Sequence, residues 1–216
     1  MPPHSEHIVL LHGLSRTPRS MGALQRALQN ERYTVHNLGY DSRHHPIPVL
    51  AEHVAREIGS RTAGATTVHM VTHSMGGILV RQMEATQPLA TLGRVVMLSP
   101  PNHGSEVVDR IGHTWIFDQV NGPAGKQLGT APESFVNQLG PVQFECGVIT
   151  GDRSINWINS CMIPGPNDGK VSVERARVDG MSAFKVIHAT HSFIMSNRKV
   201  IADVVSFLKT GEMKVS

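Results

Sequence analysis

Short apolar runs recur along the chain, each followed by a polar or turn-forming segment. Runs rich in valine, isoleucine and leucine are typical of strands buried on both faces of a parallel sheet. They predict six strands, at residues 8–11, 33–39, 67–73, 94–99, 144–151 and 183–187.

Between several of these runs, apolar residues recur every three or four positions, as on one face of an amphipathic helix. Such windows lie at residues 21–28, 50–58 and 200–208, and a further helix is expected directly after Ser74. Strands that alternate with helices predict a doubly wound, mostly parallel α/β sheet. A chain of 216 residues fits a single domain, residues 1–216, with this architecture.

The stretch at residues 68–80 is chemically the most informative. An apolar strand stops abruptly at Ser74, and Met75 and two glycines then open a helix. A serine in such a sharp turn exposes its hydroxyl near the first N–H groups of the helix, which favour negative charge. A nucleophile beside anion-stabilising groups is what acyl transfer requires. The alternative is that Ser74 only caps the helix.

The sequence Thr-His-Ser-Met-Gly-Gly at residues 72–77 resembles the nucleophile elbow of the α/β-hydrolases, in particular their lipase and esterase members. It departs from the general Gly-x-Ser-x-Gly pattern at Thr72. Small residues are usual there because strand and helix crowd together, and threonine is larger and β-branched. The resemblance implies an α/β-hydrolase fold with a minimal cap and Ser74 as the nucleophile.

The pair His12-Gly13 after the first strand is similar to the family's His-Gly loop, which contributes a backbone N–H to the oxyanion hole. By this resemblance, the N–H groups of Leu14 and Met75 are the expected oxyanion donors. The alternative is that His12-Gly13 only forms a tight turn.

Two aspartates follow the fifth predicted strand and are candidates for the acid of a catalytic triad. Asp152 follows immediately, whereas Asp168 lies in the turn Asn-Asp-Gly-Lys-Val. That turn is similar to the family's Asp-Gly-x-Val acid loop, so Asp168 is preferred. The alternative for Asp168 is an ordinary Asp-Gly turn.

Two histidines near the end of the sixth strand are candidates for the base. His188 ends the strand, where its side chain can point into the sheet packing, whereas His191 lies in the loop before the last helix. By the resemblance, the family places its base in that loop, so His191 is preferred. The family's chain order of serine, acid, histidine excludes His103, since His103 precedes both acids. The predicted catalytic residues are therefore Ser74, Asp168 and His191.

The segment at residues 106–140 has the weakest pattern. Four apolar residues lie there among glycines and prolines: Trp115, Ile116, Phe117 and Val120. In the family, an insertion at this point covers the active site, so a short cap or pocket wall is expected. The alternative is a helix that packs at the periphery.

Composition narrows the possible partners. The hydrophobic fraction of 40% supports a core, and the charged fraction of 17% is too low for a disordered chain. The net charge is +3 and the pI about 9.1, but the basic residues are scattered, which argues against nucleic-acid binding. The 13 histidines form no metal-binding motif, so neither a metal nor a cofactor is expected.

No apolar run is long enough to predict stable membrane insertion. The first residues do not resemble a secretory signal, so a cytoplasmic location is expected. The two cysteines, Cys146 and Cys161, are too few for a disulfide framework, and Cys146 is expected to be a free thiol in a buried strand.

Together these features predict a serine hydrolase of the lipase or esterase type that cleaves small-molecule or lipid-like esters. Two alternatives remain open: an acyltransferase or thioesterase with the same triad, and a binding protein that keeps the fold without activity. The sequence defines neither the acyl-chain preference nor the oligomeric state.

Overall fold

A parallel β-sheet forms the centre of the molecule. The computed structural model describes residues 5–112, 114–155 and 163–214, apart from the side chains of Ile116 and Asp118. All strand pairings within these residues are parallel, in the order β2-β1-β3-β4-β5-β6. The strands are β1 (Glu6–Leu11), β2 (Thr34–Leu38), β3 (Thr67–His73), β4 (Leu92–Leu98), β5 (Cys146–Gly151) and β6 (Ala183–Ile187). Each predicted strand is therefore present, with boundaries shifted by at most two residues.

Helices cover both faces of this sheet. They are α1 (Gly22–Asn30), α2 (Ile47–Arg61), α3 (Met75–Thr86), α4 (Glu106–Ile111), α5 (Trp115–Lys126), α6 (Phe135–Gln138) and α7 (Arg198–Thr210). Apolar residues of α2 and α3 pack in one buried cluster with the sheet, and those of α1 and α7 pack in a second. The doubly wound α/β architecture is thus confirmed.

Local chemistry explains where two of these helices begin and end. Helix α2 starts three residues earlier than the apolar spacing predicts, because Pro46 at the N-cap and Pro48 in the first turn preset a helical start. Helix α7 begins where the side chain of Asn197 accepts hydrogen bonds from the N–H groups of Lys199 and Val200. It ends at Gly211, whose positive φ of 77° is a common helix stop.

The carboxyl ends of the central strands lie side by side. His73 at the end of β3 pairs with Leu98 of β4, and Leu98 pairs with Ile149 of β5. Farther along β5, Gly151 pairs with Ile187 at the end of β6. The loops that leave these strands therefore meet at one edge of the sheet, where α/β proteins usually bind ligands.

The remaining sequence expectations have mixed outcomes. Cys146 is a buried free thiol, and burial raises its pKa to about 12, whereas Cys161 lies outside the described residues. No helix among the described residues is long and apolar enough to cross a membrane. The assignment of residues 1–216 to one domain stays a prediction.

Substitution of Gly76 in α3 tests how tightly that helix packs on β1. A Cβ atom at Gly76 would lie 2.7 Å from the carbonyl oxygen of Leu11, whereas a Cβ at Gly59 in α2 meets nothing within 4 Å. Both glycines are helical, so alanine improves helix propensity at each site. We expect Gly76→Ala to lower the free energy of unfolding by about 1–3 kcal/mol and Gly59→Ala to raise it by about 0.5–1 kcal/mol.

Urea unfolding of the two variants and the parent measures both changes. Equal stabilisation by the two alanines would contradict the close approach of α3 to β1.

Candidate active site

Ser74 sits in a strained turn between β3 and α3. Its φ of 53° and ψ of −125° are unusual for a residue with a side chain, and such strain concentrates at functional sites. The Ser74 N–H donates to the carbonyl of Leu98 at 2.8 Å, which fixes the turn to the neighbouring strand. Ser74 occupies the N-cap position of α3, but its side chain makes no capping hydrogen bond. The hydroxyl is therefore available to another partner.

Because Gly13 and Gly76 have no side chain, the turn at Ser74 packs closely on the end of β1. A Cβ at Gly13 would lie 2.8 Å from His73 Nδ1 and 3.0 Å from the Ser74 Cβ. Thr72, where the family pattern has glycine, is fully buried in β3. The positions that require a small residue are thus Gly13 and Gly76, whereas β3 accommodates the larger Thr72.

The three predicted catalytic residues lie in one chain of hydrogen bonds. His191 Nε2 lies 3.1 Å from the Ser74 hydroxyl oxygen, and His191 Nδ1 lies 2.8 Å from Asp168 Oδ2. Asp168 and His191 are almost completely buried. With Nδ1–H donating to the carboxylate, His191 Nε2 carries the lone pair that faces the serine hydroxyl.

Both oxygens of the Asp168 carboxylate are hydrogen-bonded, Oδ2 to His191 and Oδ1 to the backbone. Asp168 Oδ1 accepts hydrogen bonds from the N–H groups of Lys170 and Val171 at 3.0 and 2.9 Å. A Cβ at Gly151 would lie 3.1 Å from the Asp168 Cβ, so the end of β5 leaves room for this turn. Burial raises the pKa of Asp168, but the charge and hydrogen bond of His191 outweigh it, and the net pKa is lowered. Asp168 is therefore ionised at neutral pH.

His73 supports the loop that carries His191. It is buried directly before Ser74, and its Nε2 lies 3.0 Å from the carbonyl oxygen of His191, to which it donates. The two rings lie 4.9 Å apart. Burial, followed by the charges of His191 and Arg16, holds the pKa of His73 well below its usual range. His73 is thus a neutral donor that fixes the His191 backbone.

The alternative acid and base form a separate pair. His188 Nδ1 lies 2.9 Å from Asp152 Oδ1, and the His188 side chain is 74% exposed. His188 therefore does not point into the sheet packing, since its position after the last residue of β6 leaves it in solvent. His103 contacts Asn137 instead, at 3.0 Å.

The two predicted oxyanion donors lie beside Ser74. Met75 is the first residue of α3, so its N–H lacks an acceptor within the helix. Leu14 follows Gly13 in the loop after β1, and it lines the same cavity as Ser74. Their position beside the serine is consistent with the role that the family resemblance implies.

A cavity of about 190 Å³ opens beside Ser74 and His191. Much of its wall comes from the segment at residues 106–140, through Val107, Val108, Ile111, Phe117, Val120, Asn121 and Leu128. Phe117 is buried against this wall, whereas Trp115 is 73% exposed. The side chain of Ile116 lies outside the described residues. Of the predicted apolar group, Phe117 and Val120 therefore reach the cavity.

Three residues of this site were not predicted from the sequence. Arg16 and Lys170 line the cavity, and His73 supports the His191 loop. Arg16 and Lys170 lie two residues after Leu14 and Asp168, so their proximity to predicted site residues was the available signal. Nothing in the local pattern distinguishes them from ordinary surface cations.

The fold and this arrangement are those of an α/β-hydrolase. A model of the alpha/beta hydrolase family matches residues 8–204, and the chain belongs to that family. A triacylglycerol lipase from Pseudomonas fragi is 30% identical over 79 residues, which are 37% of this chain and 27% of the lipase. The match thus spans about a quarter of that relative's length.

Solved structures of lipases share the fold. The mature Bacillus licheniformis lipase BlEst2 superposes with a TM-score of 0.71 at 17% identity, covering 98% of this chain and 94% of that one. The phospholipase PlaB from Legionella pneumophila gives a TM-score of 0.72 at 16% identity, covering 92% of this chain and 56% of PlaB. The α/β-hydrolase fold and family that the sequence resemblance implies are thus confirmed.

The buried neutral state of His73 predicts a pH dependence of stability. Because its pKa is lower in the folded protein than the ordinary value of about 6.5, the unfolded chain binds the proton more readily. Stability from this group is therefore complete above pH 6.5 and declines as the pH falls below it. We expect His73→Gln to make the decline between pH 6.5 and 5 shallower, by up to about 1.4 kcal/mol per pH unit.

Urea unfolding at several pH values measures this slope, with the exposed His53→Gln as control. An unchanged slope in His73→Gln would show that His73 is not held neutral.

Proposed function

We propose that the chain is a serine esterase that hydrolyses carboxylic esters through an acyl-enzyme on Ser74. The observation that carries this proposal is the hydrogen-bonded series from Asp168 through His191 to Ser74, at 2.8 and 3.1 Å, beside a cavity. A serine hydroxyl is a weak nucleophile, and a histidine oriented by a carboxylate is what activates it.

The first half of the reaction forms the acyl-enzyme. The Ser74 oxygen attacks the ester carbonyl carbon while His191 Nε2 takes the hydroxyl proton. Asp168 holds the ring in the required tautomer and stabilises the imidazolium through its charge. The N–H groups of Leu14 and Met75 stabilise the oxyanion of the tetrahedral intermediate. His191 then returns the proton to the departing alcohol as the bond from carbon to the alcohol oxygen breaks.

The second half releases the acid. Water gives a proton to His191 and attacks the acyl carbon, and the bond to Ser74 then breaks with return of the proton to the serine oxygen. Water is the acyl acceptor in this proposal, and the cavity opens to solvent beside a partly exposed Ser74. An added alcohol that competes with water would instead indicate acyl transfer.

The triad is tested by labelling with a fluorophosphonate probe, which reacts with activated serines. We expect Ser74→Ala to abolish labelling, and Asp168→Asn and His191→Ala to slow it by about 10²–10⁴-fold, because each removes part of the activation.

The exposed pair provides the matched controls. Asp152 and His188 form an Asp–His pair with a hydrogen bond of 2.9 Å. We expect Asp152→Asn and His188→Ala both to label at the parental rate. Loss of labelling in Asp152→Asn together with normal labelling in Asp168→Asn would move the acid to Asp152. A folded parent that does not label would refute the proposed activity.

The cavity predicts the acyl length of the substrate. Its volume of about 190 Å³ is below the roughly 300–1,000 Å³ typical of pockets for drug-sized ligands. We therefore expect kcat/KM on p-nitrophenyl esters to be higher for butyrate than for palmitate. Phe117→Leu widens the wall and should shift the preference toward longer chains.

Phe193→Leu is the control, since Phe193 is 63% exposed and does not line the cavity. A preference for long chains that appears only at a lipid interface would contradict the prediction.

A further inference from the structure

Two cationic side chains stand at the cavity beside Ser74. Arg16 comes from the loop after β1, and Lys170 comes from the turn that carries Asp168. They reach the same cavity from two separate loops, whereas the apolar wall comes mainly from α4 and α5. The cavity therefore has an apolar side and a positively charged side.

Neither cation has an anionic partner in the part of the chain that the structure describes. The ion pairs there involve other arginines and lysines, such as Arg175 with Glu106 and Lys185 with Asp203. Asp168, the acid nearest to Lys170 in sequence, uses its carboxylate for His191 and for two backbone N–H groups. Its carboxylate oxygens thus already have partners.

The backbone of each cation is fixed to the candidate site. The Arg16 N–H donates to the carbonyl of Gly13, which packs against Ser74. The Lys170 N–H donates to Asp168 Oδ1, and the Lys170 carbonyl accepts from the Ser105 hydroxyl at 2.6 Å. Both side chains therefore start from defined positions relative to the Ser74 hydroxyl.

The charge of Arg16 also acts on Lys170. Desolvation and then the charge of Arg16 lower the pKa of Lys170, although the charge of Asp168 opposes them. Desolvation also lowers the pKa of Arg16. Two like charges that line one cavity repel each other, and a bound anion would relieve that repulsion.

We propose that Arg16 and Lys170 form an anion-binding subsite beside Ser74, so that the natural substrate is an ester bearing a carboxylate or phosphate group. This inference rests on the proposed esterase function and names its substrate class. A guanidinium binds two oxygens of such a group in parallel, and an ammonium adds a point charge. The apolar wall would hold the uncharged part of the ester.

Matched esters test the subsite. Mono-p-nitrophenyl succinate and p-nitrophenyl butyrate differ by a carboxylate on the acyl side. The butyryl esters of 4-hydroxybenzoate and 4-hydroxybenzamide differ by a carboxylate on the alcohol side. For each pair, the ratio of kcat/KM for the anionic ester to that for the neutral ester measures the preference.

We expect the ratio in at least one pair to fall by about tenfold or more in the double variant Arg16→Gln, Lys170→Gln, because charge-assisted hydrogen bonds are lost. Added NaCl should lower the parental ratio as well. Arg26→Gln is the control, since it removes a positive charge from the exposed face of α1, away from the cavity. Its ratio should equal that of the parent.

Calorimetric titration with inorganic phosphate provides a readout that does not depend on turnover. We expect phosphate to bind the parent and Arg26→Gln more tightly than the double variant. Equal ratios in all proteins, with equal phosphate binding, would overturn the subsite. Phosphate binding that the double variant loses, without an ester preference, would show a site for a free anion and refute the assigned substrate class.

Failure of the esterase proposal itself gives a different result. In that case the parent hydrolyses none of the four esters, and the phosphate titration alone decides whether the subsite exists. Weaker phosphate binding in the double variant would then support the subsite, and unchanged binding would refute it.

Discussion

The close packing of the turn at Ser74 on the end of β1 is the constraint on which the site depends. Gly76 lies against the carbonyls of Leu11 and His12, and Gly13 lies against His73 and Ser74. This contact brings the start of α3 beside the loop after β1. The two segments can come this close only because neither glycine has a side chain. The strained φ of Ser74 is maintained by the same packing.

Burial determines which of the two Asp–His pairs is suited to catalysis. Both pairs have nearly the same hydrogen-bond length, 2.8 Å for Asp168–His191 and 2.9 Å for Asp152–His188. The first pair is buried and reaches the proposed nucleophile Ser74, so the Asp168 charge acts at low dielectric. The second is largely in solvent, where an ion pair contributes little. Hydrogen-bond geometry alone would not have separated them.

The sequence predicted the strands and the three linked residues because their signals are local or depend on chain order. Each strand is a compact apolar run, and Ser74, Asp168 and His191 follow separate strands whose carboxyl ends must share an edge. The family resemblance then favoured Asp168 over Asp152 and His191 over His188. The early start of α2 was missed because its signal is a pair of prolines rather than apolar spacing.

The outward position of His188 depends on the direction in which the chain leaves β6, which side-chain type alone does not indicate. The positions of Arg16 and Lys170 depend on how two distant loops approach each other, and no residue spacing reports that distance. The sequence thus could not predict the positions of side chains that depend on how loops leave the sheet and approach each other.

The wall of the cavity is fixed by three contacts between distant segments, each of which involves a backbone group of the wall or of the segment that it meets. Gly122, with a φ of 60°, interrupts α5 and packs so closely on Arg43 that a Cβ there would lie 1.6 Å from the Arg43 carbonyl oxygen. The Ser15 hydroxyl donates to the carbonyl of Val120, and the side-chain oxygen of Gln127 accepts from the N–H of Ile47 at 2.6 Å. These contacts tie α5 to the loop after β1 and to the start of α2. A wall held at three such points limits the cavity through its backbone, so substitutions of lining side chains should tune acyl length without moving the wall.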